Sequence, residues 1–172
     1  MHMNPNDIQI ELFSDKLPGH FKIKETIATW IYNEFIHDIR KGVTYENVLS
    51  RFINCEPGKI PLRYAAFMNG VCVGTISLVK NDHARLTYEP WLSSLYVDLS
   101  YRKRGIAQAL IETVKSAAWD MGYETLYLRT EYAGGYYRKL GWTFAETRAD
   151  EYGLLPEVFK WDKRQRPNLD II

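Results

Sequence analysis

The chain is short of cysteine, has no charge surplus of either sign, and contains no long apolar run. Only two of its 172 residues are cysteines, Cys55 and Cys72. They show no CxxC spacing and no histidine cluster accompanies them, so neither a disulfide framework nor a zinc site is implied. Cys72 falls in a strand-like run and reads as a core residue. The 22 basic residues meet 21 acidic ones, leaving a formal charge of +1. A nucleic-acid binder usually carries a basic excess, so no nucleic-acid partner is expected. No stretch approaches the roughly 20 apolar residues of a membrane span, and the first ten residues lack the charged-then-apolar pattern of a secretory signal. A soluble, reducing, cytoplasmic setting is expected, with no membrane partner and no metal. Repeats, low-complexity tracts and linkers are absent too. What is present is 46% hydrophobic and 14% aromatic residues, enough for one core. One domain over 1–172, with its core at about 7–162, is expected.

Residues 7–13 alternate, with Ile8, Ile10 and Leu12 on one side, and predict a strand. The run 20–39 predicts a helix with Phe21, Ile27, Trp30, Ile31 and Phe35 as its apolar stripe, ended by Gly42. Thr44 is a candidate N-cap for a second helix to about residue 55, with Val48, Leu49, Phe52 and Ile53 inward. Two strands, 62–68 and 71–80, flank Asn69-Gly70, the strongest short hairpin signal because both residues tolerate positive φ. A polar connection, 81–90, leads to a central strand, 91–97. A helix over 105–121, closed by Gly122, then connects to a strand at 125–130. Such a crossover implies a parallel pair. A short helix at 132–140 stops at Gly141. Two last strands, 142–147 and 154–161, are expected to be antiparallel, followed by a peripheral tail.

Between the central strand and the helix after it lie Arg102, Lys103, Arg104, Gly105, Ile106 and Ala107. The first N–H groups of a helix lack internal partners, and the helix dipole is positive there, so a pyrophosphate can take those donors. Gly105 allows close approach of the main chain. Arg102 and Arg104 can grip phosphate oxygens. Taken alone, the pattern is weak, because a basic turn at a helix start is more often a solvated surface.

About thirty residues on comes Tyr136-Tyr137-Arg138-Lys139-Leu140-Gly141-Trp142. The two segments, in this order and spacing, resemble the GNAT superfamily of acetyl-CoA-dependent N-acetyltransferases. That family reads Gln/Arg-x-x-Gly-x-Gly/Ala after a central strand, then roughly Phe-Tyr-x-Lys-x-Gly-Phe. The resemblance covers about 71–144 and more loosely 60–161. It implies an α/β fold: a mixed, mostly antiparallel sheet with a central splayed parallel pair and helices on both faces. It implies acetyl-CoA as cosubstrate, its pantetheine arm pairing with the strand edge at Leu95, Tyr96 and Val97. The pyrophosphate would lie on the N–H groups of Lys103 to Ala107, with Arg102, Arg104 and Gln108 nearby. Thr130 stands where many members carry a cofactor-holding Asn.

The resemblance further implies Tyr137 as general acid to the CoA thiolate. A phenol of ordinary pKa about 10 is protonated at neutral pH and can serve so. Without the resemblance, Tyr137 reads rather as an amphipathic aromatic packed on a short helix, its hydroxyl bonded to backbone. For the general base, Glu89, just before the central strand, is the first candidate and Glu34 the next. Asp98 reads as a turn residue, and Asp82 and His83 as a solvated loop. An oxyanion donor is expected in a backbone N–H near Leu95 or Tyr96. Acidic residues Glu34, Asp38, Glu46, Asp82 and Glu89 fall in segments that would rim the acceptor side. The expected acceptor is an amine of a small molecule or peptide, and the protein a monomer or homodimer. A CoA-binding sensor without turnover is the alternative. Gly134-Gly135 is unusual within a helix: either the helix starts after Gly135 or a ligand comes close there.

Overall fold

The computed structural model describes residues 8–164. Asp7 and the end of the tail lie outside them. The elements, in order, are β1 (Gln9–Leu12), α1 (His20–Phe35), α2 (Tyr45–Leu49), β2 (Leu62–Met68), β3 (Val71–Val79), β4 (Trp91–Val97), a 3-10 turn (Leu99–Tyr101), α3 (Ile106–Asp120), β5 (Thr125–Thr130), α4 (Gly134–Lys139), β6 (Thr143–Thr147) and β7 (Glu157–Asp162). They build one seven-stranded sheet of order β1-β2-β3-β4-β5-β7-β6. All neighbours are antiparallel except β4 and β5. The expected fold class is borne out.

Strand alternation sends successive side chains to opposite faces, and each face buries its own core. Ala65 packs with Ile23, Ile27 and Ile31 of α1 and with Val48 and Phe52. Its neighbour Ala66 packs on the other face with Ile106, Leu110 and Val114 of α3. Gly74 on β3 lets α3 come close. A Cβ there would sit 3.0 Å from the Tyr96 carbonyl oxygen and 3.3 Å from a Leu110 methyl. The β2–β3 hairpin turns at Asn69 (φ 50°) and Gly70 (φ 77°), as the Asn-Gly pair requires.

The helical half of the N-terminal region is shorter than the periodicity predicts. α1 ends at Phe35, before Gly42, although apolar Ile36 and Ile39 continue the pattern. Its buried stripe is Ile23, Ile27, Ala28 and Ile31, while Phe21 is 74% exposed. Trp30 leaves that stripe to lie against Tyr96 of β4, centroids 5.3 Å apart. Thr44 does cap α2: its hydroxyl accepts from Asn47 N–H (3.2 Å), and Asn47 Oδ1 accepts from Thr44 N–H (2.9 Å). That helix nevertheless stops at Leu49, and Ile53 is exposed.

The feature that makes a site is the parting of β4 and β5. Their register pairing is confined to Trp91↔Tyr127, at the start of β4. Further along, β4 carries a bulge opposite β3, with Ser94 in the left-handed region at φ 56°. A bulge bends its strand and breaks the local ladder. Here it steers the end of β4 away from β5 and leaves a wedge-shaped opening.

Candidate active site

A cavity of about 650 Å³ fills that opening and runs from the start of α3 to the end of α1. Leu95, Tyr96, Val97, Arg102, Lys103, Gly105, Ile106, Ala107, Gln108, Thr130 and Tyr137 all line it. Arg104 does not line it; its guanidinium lies 5.5 Å over the ring of Tyr101, which does.

Asp98 accepts from Ser100 N–H at 2.9 Å and shapes the turn after β4, as expected of a turn residue. Lys103 (φ 62°) and Gly105 (φ 79°) are both left-handed, and α3 opens directly from Gly105. A Cβ at Gly105 would meet no atom within 4 Å, so its use is the backbone angle rather than clearance. Ile106, Ala107 and Gln108 fall in the first turn of α3, where N–H groups have no helical acceptor. Arg102 Nε donates to the Val97 carbonyl at 2.9 Å, and its guanidinium lies 5.5 Å over the Tyr96 ring.

Tyr137 is 8% exposed. Its ring meets Trp142 edge-on at 6.0 Å and lies 6.3 Å from Phe159, so the motif's last aromatic clamps the phenol. Burial, and secondarily the nearby Tyr136 phenol, push its pKa well above the ordinary tyrosine value. The group is therefore a neutral donor throughout the neutral range. Thr130 is buried on the cavity wall, and its hydroxyl oxygen accepts from Ala133 N–H at 2.9 Å. It ties down the start of α4, with its own proton left to donate. Helix α4 begins at Gly134 itself. A Cβ on Gly134 would overlap the Glu157 carboxylate, which Arg138 holds at 2.7 Å. The glycine thus makes room for a side chain of β7.

The far end of the cavity is charged. Glu34, Arg40, Asp82, Arg129 and Glu131 border it. Arg129 is 3% exposed and bonds Glu131 at 2.7 Å and Asp150 at 2.5 Å. Burial alone would raise the Asp150 pKa, but the Arg129 bond and the N–H groups of Leu154 and Tyr152 outweigh it and hold the carboxyl below its usual range. Asp82 and His83 are not a solvated loop. Asp82 accepts from Ser93 Oγ at 3.0 Å. His83 is 1% exposed and reaches the Arg148 carbonyl with Nε2 at 3.1 Å. Glu89 lies off the cavity, exposed, with Lys80 at 3.8 Å, because it precedes the end of β4 that pairs with β5. Asp38 and Glu46 do not border the cavity either.

Arg129, Glu131, Asp150 and Ser93 escaped the sequence reading. Only Arg129 left a signal, as the one charged residue of the strand Thr125–Thr130.

Residues 26–142 match the sequence profile of the Acetyltransferase (GNAT) family. The chain belongs to that family. A 70-residue stretch is 39% identical to the N-alpha-acetyltransferase MAK3 of Arabidopsis thaliana, covering 41% of this chain and 36% of that protein. The match therefore spans about a third of the relative's length. Among solved structures, an aminoglycoside 6'-N-acetyltransferase complexed with coenzyme A superposes with a TM-score of 0.68 at 16% identity, over 93% of this chain and 99% of that one. A probable acetyltransferase from Staphylococcus epidermidis ATCC 12228 gives 0.66 at 12% identity, over 91% and 99%. These two likenesses concern the fold. The GNAT cosubstrate is acetyl-CoA, and the open strand edge and the left-handed turn before α3 fit its extended arm and its phosphates. Among the described residues no group of three or more His, Cys, Asp or Glu is placed to hold a metal. No described helix is long and apolar enough to cross a membrane.

Proposed function

We propose that this GNAT protein is an N-acetyltransferase that moves an acetyl group from acetyl-CoA to a primary amine of a small molecule or peptide, by direct attack. The observation that carries the reading is the buried phenol of Tyr137, on the wall of the cavity that begins at the open first turn of α3. Acetyl-CoA, when bound, supplies the acetyl group as a thioester. The N–H groups at Lys103 to Ala107 and the Arg102 guanidinium group hold the pyrophosphate, with Gln108 beside them, while Arg104, off the cavity over Tyr101, adds only its charge. The backbone of Leu95, Tyr96 and Val97 pairs with the arm as an added strand would. The N–H of Leu95, at the bulge, takes the charge that develops on the carbonyl oxygen. Tyr137 gives its proton to the departing sulfur.

Direct attack is supported by the state of the two thiols. Burial raises the Cys55 pKa and pushes Cys72 up to about 11. Neither borders the cavity, and a neutral thiol is a poor nucleophile. An amine acceptor is supported by the relatives, whose names specify N-acetyl transfer.

The test is release of CoA thiol from acetyl-CoA against aminoglycosides, polyamines, amino acids and short peptides, with product masses checked. Turnover with one class names the acceptor. Binding of acetyl-CoA with silence across the panel favours the sensor reading.

A further inference from the structure

We propose that Asp82 is the catalytic residue that takes the proton from the acceptor amine. The assignment rests on the acetyl-transfer reading of the same cavity, and three observations carry it.

The first is position. Asp82 borders both the main cavity and a smaller one of about 240 Å³, and the two share Ser93 and Ser94. That junction is the β4 bulge, beside Leu95, where the carbonyl to be attacked must lie. The second is how the carboxylate is held. Ser93 Oγ donates to Oδ1 at 3.0 Å and sits 3.3 Å from Ser94 Oγ, so one carboxylate oxygen is aimed by the strand that carries the bulge. No lysine or arginine forms an ion pair with Asp82 among the described residues. The third is elimination among the acids at hand. Glu131 is held by Arg129 at 2.7 Å, Glu34 is exposed on α1, and Glu89 lies off the cavity beside Lys80.

The electrostatic setting agrees. Burial raises the Asp82 pKa. Arg40, Arg129 and the Ser93 hydrogen bond lower it, Glu131 raises it, and the net direction is upward. Arg63 of β2 also feels the Asp82 charge. Arg51 borders both cavities, and Glu34 the larger. A carboxylate of raised pKa is a stronger base, closer to the working pH.

Asp82 accepts one proton from the ammonium, directly or through one water. The freed nitrogen pair forms the C–N bond and the C–S bond breaks. The sulfur takes the Tyr137 proton, and the second nitrogen proton restores the phenol through cavity water. Asp82 returns its proton to solvent, so one proton is released per amide formed.

The experiment compares the full chain with Asp82→Asn, using acetyl-CoA and whichever amine of the panel is turned over. The expected result is a fall in kcat/KM of about 10²- to 10⁴-fold, loss of the acidic limb of the pH profile, and unchanged acetyl-CoA affinity. Asp82→Glu regains part of the rate. Should the Asn variant fail to fold, Ser93→Ala keeps the carboxylate and removes a hydrogen bond to its charged form, so the acidic limb moves to higher pH. An Asn variant within about threefold of wild type, or an unmoved limb in Ser93→Ala, overturns the role of Asp82 alone. Wild-type silence with every amine overturns the transferase reading first.

Discussion

At one end of the cavity the wall is backbone from a single stretch, 95–108. At the other it is side chains from the end of α1 and the turn after it, the β3–β4 connection and β5, with Asp150 of the β6–β7 connection bonded to Arg129 behind that wall. Backbone recognition needs particular φ values and a helix start, and these leave a compact signature of glycine and basic residues. Side-chain recognition draws single charges from distant segments. Arg129 and Asp150 are 21 residues apart, and His83 and Arg148 are 65 apart. The first end was readable from sequence and the second was not.

The largest expected effect strikes the charged end. Arg129→Ala strands Asp150, which is 0% exposed, and should cost about 3–5 kcal/mol of stability, the usual loss when half of a buried pair is removed. Chemical denaturation measures it, and a loss under about 1 kcal/mol would mean that water compensates the carboxylates. The variant should also unfold less steeply with acid. A carboxyl whose folded pKa lies below its unfolded value stabilises fully above the unfolded value, about 3.9 for Asp, and progressively less as pH falls through the folded one. Asp150 is such a group, and Arg129 is one of its causes.

Next comes the middle of the cavity. Tyr137→Phe should slow turnover by about 10- to 1,000-fold with acetyl-CoA affinity little changed. Equal turnover would remove the phenol from catalysis and leave it as packing. At the backbone end, Gly105→Ala should cost about 1–2 kcal/mol of stability for the left-handed angle, read by chemical denaturation, with the acidic limb unmoved. A shifted limb would show that the two ends are not independent. The smallest change is expected at Glu89→Gln, within about 0.5 kcal/mol in stability because its ion pair is exposed, with unaltered turnover. A tenfold loss would return Glu89 to the site and break the division between the ends.

Strand bounds were legible where turn chemistry marks them. Asn69-Gly70 set the hairpin, and β4 and β5 run over the residues their apolar patterns predict. The end of α1 was not legible, because Ile36 and Ile39 keep the helical period after the backbone has turned, and Ile36 is buried by tertiary contact. The connection 81–90 misled for a different reason. Its composition is that of a solvated loop, yet His83 stacks on Trp91 at 6.4 Å between centroids and draws Asp82 inward.

By itself the sequence determined the family, the order of the elements and the basic, glycine-containing turn before α3, because each depends on contacts between near neighbours or on a backbone angle that only certain residues adopt. The splay at Ser94, the clamp of Trp142 on Tyr137, and the placing of Asp82 rather than Glu89 on the cavity wall were decided only by tertiary structure. They depend on which distant side chains share one low-dielectric space, and no local pattern records that.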